Sequence, residues 1–188
     1  MPAILTLASS SPRRRALLAR IGLRFRVEAP RISEAIAAGE DAETLIRRLA
    51  GAKAAEVAER IGACALGADT VVVCGAAIFG KPADDEAAEE MLAQLSGREH
   101  RVVTAVALAG EGPTAVATSL TRIWFRPLDA ATRGRYVASG EGRDAAGAYR
   151  IQGAASAFLV RLAGSYSNVV GLPLAETVQL LRNAGLVP

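Results

Sequence analysis

Three observations predict an α/β protein with a mixed, twisted sheet flanked by helices. Short apolar runs of strand length alternate with stretches whose apolar residues recur at helical spacing. Two long strand candidates late in the chain are separated only by the Gly110–Pro113 turn, so at least one pair is antiparallel. The chain has 188 residues, half of them hydrophobic and few aromatic, enough for one domain or two small lobes with a core of small aliphatic contacts.

The elements follow in order. Ala3–Ala8 is a strand that runs into Ser9, Ser10 and Ser11, and Pro12 opens a helix to about Ile21, closed by Gly22. Proline at the first helical position behind a serine cap lacks only a donor that would be orphaned there. The serine turn with Arg13 and Arg14 in the first turn suits an oxyanion, and equally suits an ordinary capped helix with solvated arginines. Leu23–Ala29 is a second strand, followed by a polar loop with Pro30 and Glu34. A helix then runs from Asp41 or Glu43 to about Ile61, with Leu45, Ile46, Leu49, Val57 and Ile61 on its apolar stripe. Lys53 falls on that stripe, so its ammonium must snorkel out or meet negative charge.

Leu66–Pro82 (LGADTVVVCGAAIFGKP) reads as a hairpin bracketed by Asp69 and Lys81. A carboxylate at the mouth of a buried apolar run is costly unless it meets a cation, a metal or several donors, which makes Asp69 the leading functional candidate. Pro82–Leu95 is an acidic-started helix ending at Gly97, and its carboxylates are expected in solvent. Arg101–Leu108 and Thr114–Phe125 are the paired strands; His100, before the first, is expected as polar surface at a loop edge. Leu128–Ala138 is a helix, Ser139–Gly153 a glycine-rich functional loop and Ala157–Leu162 a strand. Gly164–Gly171 is a loop, and Pro173 to about Ala184 is a last helix ended by Gly185.

Composition narrows the function. The net charge is only +3 and the arginines cluster locally, which points to a small anionic ligand; one Trp and three Tyr argue against nucleic acid. Cys64 and Cys74 with a single histidine are too few for a zinc site and read as reduced thiols of a cytosolic protein. The opening residues have neither a signal-peptide pattern nor an apolar run of membrane-spanning length. Gly75–Lys81 has the glycine and lysine spacing of a P-loop, yet Pro82 stands where Ser or Thr must hold Mg²⁺, so that reading is rejected.

Four stretches in register, LASSSPRRRALL (Leu7–Leu18), LGADTVVV (Leu66–Val73) with GKP (Gly80–Pro82), AGAYRIQG (Ala146–Gly153) and GSYSNVVGLPLAET (Gly164–Thr177), closely resemble the Maf family of nucleoside triphosphate pyrophosphatases. The resemblance covers nearly the whole chain. It implies a single Maf-like domain, two lobes around a deep cleft, related to the inosine triphosphate pyrophosphatases and usually dimeric. The implied reaction is metal-dependent cleavage of a nucleoside triphosphate to the monophosphate and pyrophosphate. It assigns Asp69 as proton acceptor or metal-associated carboxylate, Glu34 as the second acidic metal position, and Ser9, Arg13, Arg14, Lys53 and Lys81 to the triphosphate. Mg²⁺ or Mn²⁺ is the implied cofactor.

Arg13, Thr70 and the IQG around Gln152 look like the subgroup acting on dTTP and UTP. A glutamine amide offers a donor to a pyrimidine O4 and an acceptor to N3–H, although a flipped amide pairs equally well with an adenine edge. Two departures from the subgroup are Ala145, where lysine is usual, and Arg150, where a small residue is usual. The competing expectation is a nucleotide-binding regulator of septum formation with little or no turnover.

Overall fold

The computed structural model describes residues 5–35, 37 and 39–187. The strands are β1 (Leu5–Ala8), β2 (Phe25–Glu28), β3 (Ala65–Cys74), β4 (Ala77–Phe79), β5 (Glu99–Gly110), β6 (Gly112–Phe125) and β7 (Leu159–Ala163). The helices are α1 (Pro12–Ala19), α2 (Ala42–Ile61), α3 (Asp85–Leu95), α4 (Ala130–Ala138), α5 (Tyr166–Val170) and α6 (Leu174–Asn183). Backbone pairing makes one seven-stranded sheet in the order β2-β1-β3-β5-β6-β7, with β4 on β3. Strand β1 is parallel to both β2 and β3, whereas β3–β4 and β6–β7 are antiparallel, which is the mixed sheet the sequence predicts. Ala3 and Ile4 of the predicted first strand lie outside the described residues. Among the described residues no helix is long and apolar enough to cross a membrane.

The chain divides into two compact units. The first comprises Met1–Asp69, Thr104–Ser119 and Gly171–Pro188; the second comprises Thr70–Val103 and Leu120–Val170.

In the first unit the long helix α2 is delimited by its own caps. Asp41 accepts a hydrogen bond from the Thr44 N–H at 2.8 Å, and Gly62 ends the helix in the left-handed conformation that glycine adopts without strain. Its apolar face, with Ile46, Leu49, Ala50, Ala54 and Val57, is buried. The helix comes so close to β3 at Gly67 that a Cβ there would stand 2.7 Å from Ala54 N and 3.1 Å from Ala54 Cβ. Glycine at this position sets the distance between helix and strand.

In the second unit β3 turns back through Gly75 into β4, and Val72 stands opposite Phe79, as the hairpin reading requires. The core gathers Val72, Phe79, Leu92, Phe125, Tyr149 and Phe158. Helix α3 begins at Asp85 and not at Pro82, because the Asp84 carboxylate accepts the Ala87 N–H at 2.8 Å and caps it there. The Gly164–Gly171 loop contains the short helix α5.

His100 corrects a sequence expectation. It lies within β5, 1% exposed, with Nε2 3.0 Å from the Tyr149 hydroxyl and its ring packed edge-on against Phe125 and Tyr149. Pattern alone missed it because its partners are 25 and 49 residues away along the chain. Burial lowers its pKa from the ordinary 6.5 to about 4. The unfolded chain therefore binds this proton more tightly, so the stabilisation is complete above pH 6.5 and is lost as the pH falls towards 4. Urea unfolding should show a loss of about 2 kcal/mol between pH 7 and pH 5. The loss should be absent in His100→Gln, and an equal loss in that variant would mean that another group is responsible.

Candidate active site

Lys53 stands three residues after Ala50 and one before Ala54, on the part of α2 that closes onto Gly67. Asp69 is two residues beyond Gly67 on β3, so the same close approach brings ammonium and carboxylate together. Lys53 Nζ lies 2.5 Å from Asp69 Oδ1 and 2.7 Å from Glu34 Oε1. Lys53 is 4% exposed and Asp69 8%, which excludes snorkelling and places the carboxylate inside β3, not at its mouth. Glu34 reaches the pair from the exposed loop before α2. One ammonium between two carboxylates leaves a formal charge of −1, and burial makes Lys53 and Asp69 depend on each other while Glu34 stays exposed.

Two hydroxyls of the turn between β1 and α1 accept hydrogen bonds from within it. Ser9 is buried and its Oγ accepts the Ser11 N–H at 3.1 Å, while Ser11 Oγ caps α1 by accepting the Arg14 N–H at 3.4 Å. These two N–H groups, which the sequence leaves available to an anion, are therefore already satisfied. The arginines remain as the cationic feature of this turn, both half-buried. Arg14 Nε donates to the Gly171 carbonyl at 2.7 Å, tying the first and fourth motif stretches together. Burial lowers the Arg14 pKa from its ordinary value; the charges of Asp69 and Glu34 oppose that shift and Arg13 adds to it.

Thr70, Lys81 and Gln152 belong to the second unit. Thr70 follows Asp69 on β3 and is half-buried. Lys81 is exposed in the bend after β4, and the carbonyl of its neighbour Gly80 accepts the Gly147 N–H at 3.0 Å. Gly147 has a φ of +68°, and a Cβ on it would stand 2.9 Å from Val72 Cγ2, so glycine lets the AGAY segment lie on β3. Gln152 is exposed on the turn that follows. Of the two departures, Ala145 is buried, and Arg150 is half-buried and ion-paired with Asp144 of its own loop. Arg150 is thus engaged by a carboxylate of its own loop while staying partly exposed.

Sequence reasoning missed the supporting residues. Gly67 was legible in principle as a glycine inside a strand; the Gly171 carbonyl carries no side-chain signal at all. Part of the fourth stretch is structural. Asn168 is fully buried and its Nδ2 donates to Val102 O at 3.1 Å and Thr121 Oγ1 at 2.9 Å, while Thr121 Oγ1 accepts the Ser165 N–H at 3.0 Å.

Among the described residues no group of three or more His, Cys, Asp or Glu side chains could hold a metal ion. Glu34 and Asp69 offer hard carboxylate oxygens of the kind Mg²⁺ or Mn²⁺ takes, and the two oxygens that converge, Glu34 Oε1 and Asp69 Oδ1, are both engaged by Lys53 Nζ.

A buried ammonium between two carboxylates, with Arg14 at the start of α1 near enough to feel the charge of both, is the constellation that this α/β fold assembles in its first unit. The family model described as Maf-like protein matches residues 4–184. The dTTP/UTP pyrophosphatase of Myxococcus xanthus (strain DK1622) is 52% identical over 184 residues, covering 97% of this chain and 93% of that protein. The dTTP/UTP pyrophosphatase of Alcanivorax borkumensis is 50% identical over 186 residues, covering 97% and 96%. Among solved structures, the nucleoside-triphosphatase / dITP/XTP pyrophosphatase from Mycobacterium abscessus aligns with a TM-score of 0.44 and 22% identity, covering 64% of this chain and 72% of that one. The chain belongs to the Maf family.

The geometry separates the two lysines. Lys53→Met strands two carboxylates, one of them buried, and should cost about 3 kcal/mol or more of stability in urea unfolding. Lys81→Ala removes an exposed cation and should stay within about 0.5 kcal/mol of the parent protein. A reversed order would remove Lys53 from the centre of the site.

Proposed function

We propose that this chain is a nucleoside triphosphate pyrophosphatase acting on dTTP and UTP, converting them to the monophosphate and pyrophosphate. The observation that carries the reading is the ammonium of Lys53 held between Glu34 and Asp69. It sits in a chain about half identical, over nearly its whole length, to proteins of that name. The regulator alternative has no feature of the site in its favour.

In this reading Asp69 is the proton acceptor. The oxygen of a water molecule bonds to the α-phosphorus, the bond from that phosphorus to the β-bridging oxygen breaks, and pyrophosphate leaves with the bonding electrons. The proton from the water passes to the Asp69 carboxylate. Lys53, hydrogen-bonded to Asp69 Oδ1, fixes the direction in which that carboxylate faces. Arg13 and Arg14 counter the charge that grows on the phosphate oxygens, and Gly171 holds Arg14 by its Nε so that the guanidinium is oriented before substrate arrives. Lys81, exposed and on a short bend, binds the triphosphate as a point charge. Glu34 and Asp69 would hold Mg²⁺ or Mn²⁺, whose chemistry when bound is charge neutralisation and acidification of water. Gln152 reads the pyrimidine edge, with Thr70 beside the site.

The test is to incubate the purified protein with UTP, dTTP, ATP, CTP and GTP in the presence of Mg²⁺ or Mn²⁺ and measure pyrophosphate. UTP and dTTP should give equimolar monophosphate and pyrophosphate, and in ¹⁸O-labelled water the label should enter the monophosphate. Asp69→Asn should lower kcat by about 100-fold or more with the fold retained by circular dichroism. Tight binding of UTP without release of pyrophosphate, or unaltered turnover in Asp69→Asn, would overturn the assignment.

A further inference from the structure

Gln152 is exposed on a turn, and an exposed glutamine discriminates between bases only if the backbone carrying it is fixed. Two side chains outside the motif supply that constraint. Before Gln152, the Arg150 N–H donates to the Tyr136 hydroxyl at 3.0 Å. After it, the Ala154 N–H donates to Glu141 Oε2 at 3.1 Å. The clamp is closed by the Tyr136 hydroxyl, which donates to Glu141 Oε1 at 2.9 Å.

Four further features point the same way. Tyr136, on α4, is buried and packs edge-on against Phe158, with ring centroids 5.2 Å apart, so the hydroxyl is held by a rigid body. Burial above all, with the Glu141 carboxylate adding to it, raises the phenol pKa, which keeps the hydroxyl able to donate and accept at once. The Glu141 carboxylate lies directly against Gly153: a Cβ there would stand 2.5 Å from the Glu141 Cδ and Oε2, so a side chain at this position would push Glu141 from its place. Ile151 is buried in the core while Gln152 faces outward, so one side of the turn is anchored by packing and both ends by hydrogen bonds.

We infer that Tyr136 and Glu141 are positioning residues for nucleobase selection, holding the Ile151–Gly153 turn so that the Gln152 amide meets the pyrimidine edge in one orientation. The inference rests on the proposed reading of Gln152 as the base-facing residue. Neither Tyr136 nor Glu141 touches substrate. Their effect is to remove freedom from a glutamine that would otherwise pair with uracil and adenine alike.

The test compares kcat/KM for UTP and ATP in the parent protein, Gln152→Ala, Glu141→Ala, Glu141→Gln and Tyr136→Phe, with thermal melting to confirm folding. Tyr136→Phe keeps the ring packing and removes only the hydroxyl. Gln152→Ala should lower the UTP-to-ATP ratio about tenfold, and Glu141→Ala and Tyr136→Phe about fivefold, mainly through the KM for UTP. Glu141→Gln, which keeps an acceptor and the side-chain length, should recover part of that loss. Glu141→Ala combined with Gln152→Ala should be no worse than Gln152→Ala alone, because the clamp acts only through that side chain. Amide hydrogen exchange at Gln152–Ala154 should be faster in Glu141→Ala, a readout independent of turnover. If Gln152→Ala shifts the ratio while Glu141→Ala and Tyr136→Phe leave it unchanged, or lower both substrates equally, the clamp is overturned and the reading of Gln152 stands. If Gln152→Ala itself leaves the ratio unchanged, the reading of Gln152 falls and the clamp falls with it.

Discussion

The buried ammonium of Lys53 is the interaction on which the site depends. It joins the loop carrying Glu34, the helix α2 and the strand β3 at a single atom. A lysine in that position has no stabilising role without carboxylates, and Asp69 inside a strand has none without a cation. Each is an exception to ordinary burial, and the two exceptions cancel. Such a pair contributes less to stability than well-packed aliphatic residues of similar volume would, which is why its presence argues for chemistry more than for folding.

What holds that pair in place is a residue without a side chain. Gly67 lets α2 approach β3 until Ala54 is in contact, and Lys53 arrives beside Asp69 as a consequence. The second unit uses the same device: Gly147 lets the AGAY segment lie on Val72, and its N–H then ties the Gly80 carbonyl next to Lys81. In both units a glycine sets the spacing between segments, and the charged residue is carried to its position by the backbone.

The motif stretches divide by role once their contacts are known. Leu7–Leu18 supplies arginines, and the Ser9 and Ser11 hydroxyls brace the turn by accepting the Ser11 and Arg14 N–H groups. Gly164–Thr177 is largely structural, with Asn168 and Ser165 stapled to Thr121 and the Gly171 carbonyl orienting Arg14. Ala146–Gly153 combines both: Tyr149 is a core residue bonded to His100, while Gln152, three residues on, faces solvent. A short run of sequence therefore contains side chains with unrelated duties, and only their surroundings distinguish them.

The sequence by itself determined the α/β class, the helix opening at Pro12 behind a serine cap, the helix starting at Asp41 or Glu43, the hairpin from Leu66 to Pro82 and the suspicion attached to Asp69 and Lys53. Each of these is a local matter, since hydrophobic period, capping chemistry and the cost of a charge on an apolar stripe are all readable from neighbouring residues. Tertiary structure alone decided that Lys53 faces carboxylates instead of solvent and that His100 is a core residue. It also decided that Arg150 is engaged by Asp144, and that Tyr136 and Glu141 grip the turn bearing Gln152. The physical reason is the same in each case: the free energy of a buried or hydrogen-bonded polar group is set by the partner it meets. Period and capping describe the local run of chain, and they leave the identity of that partner open.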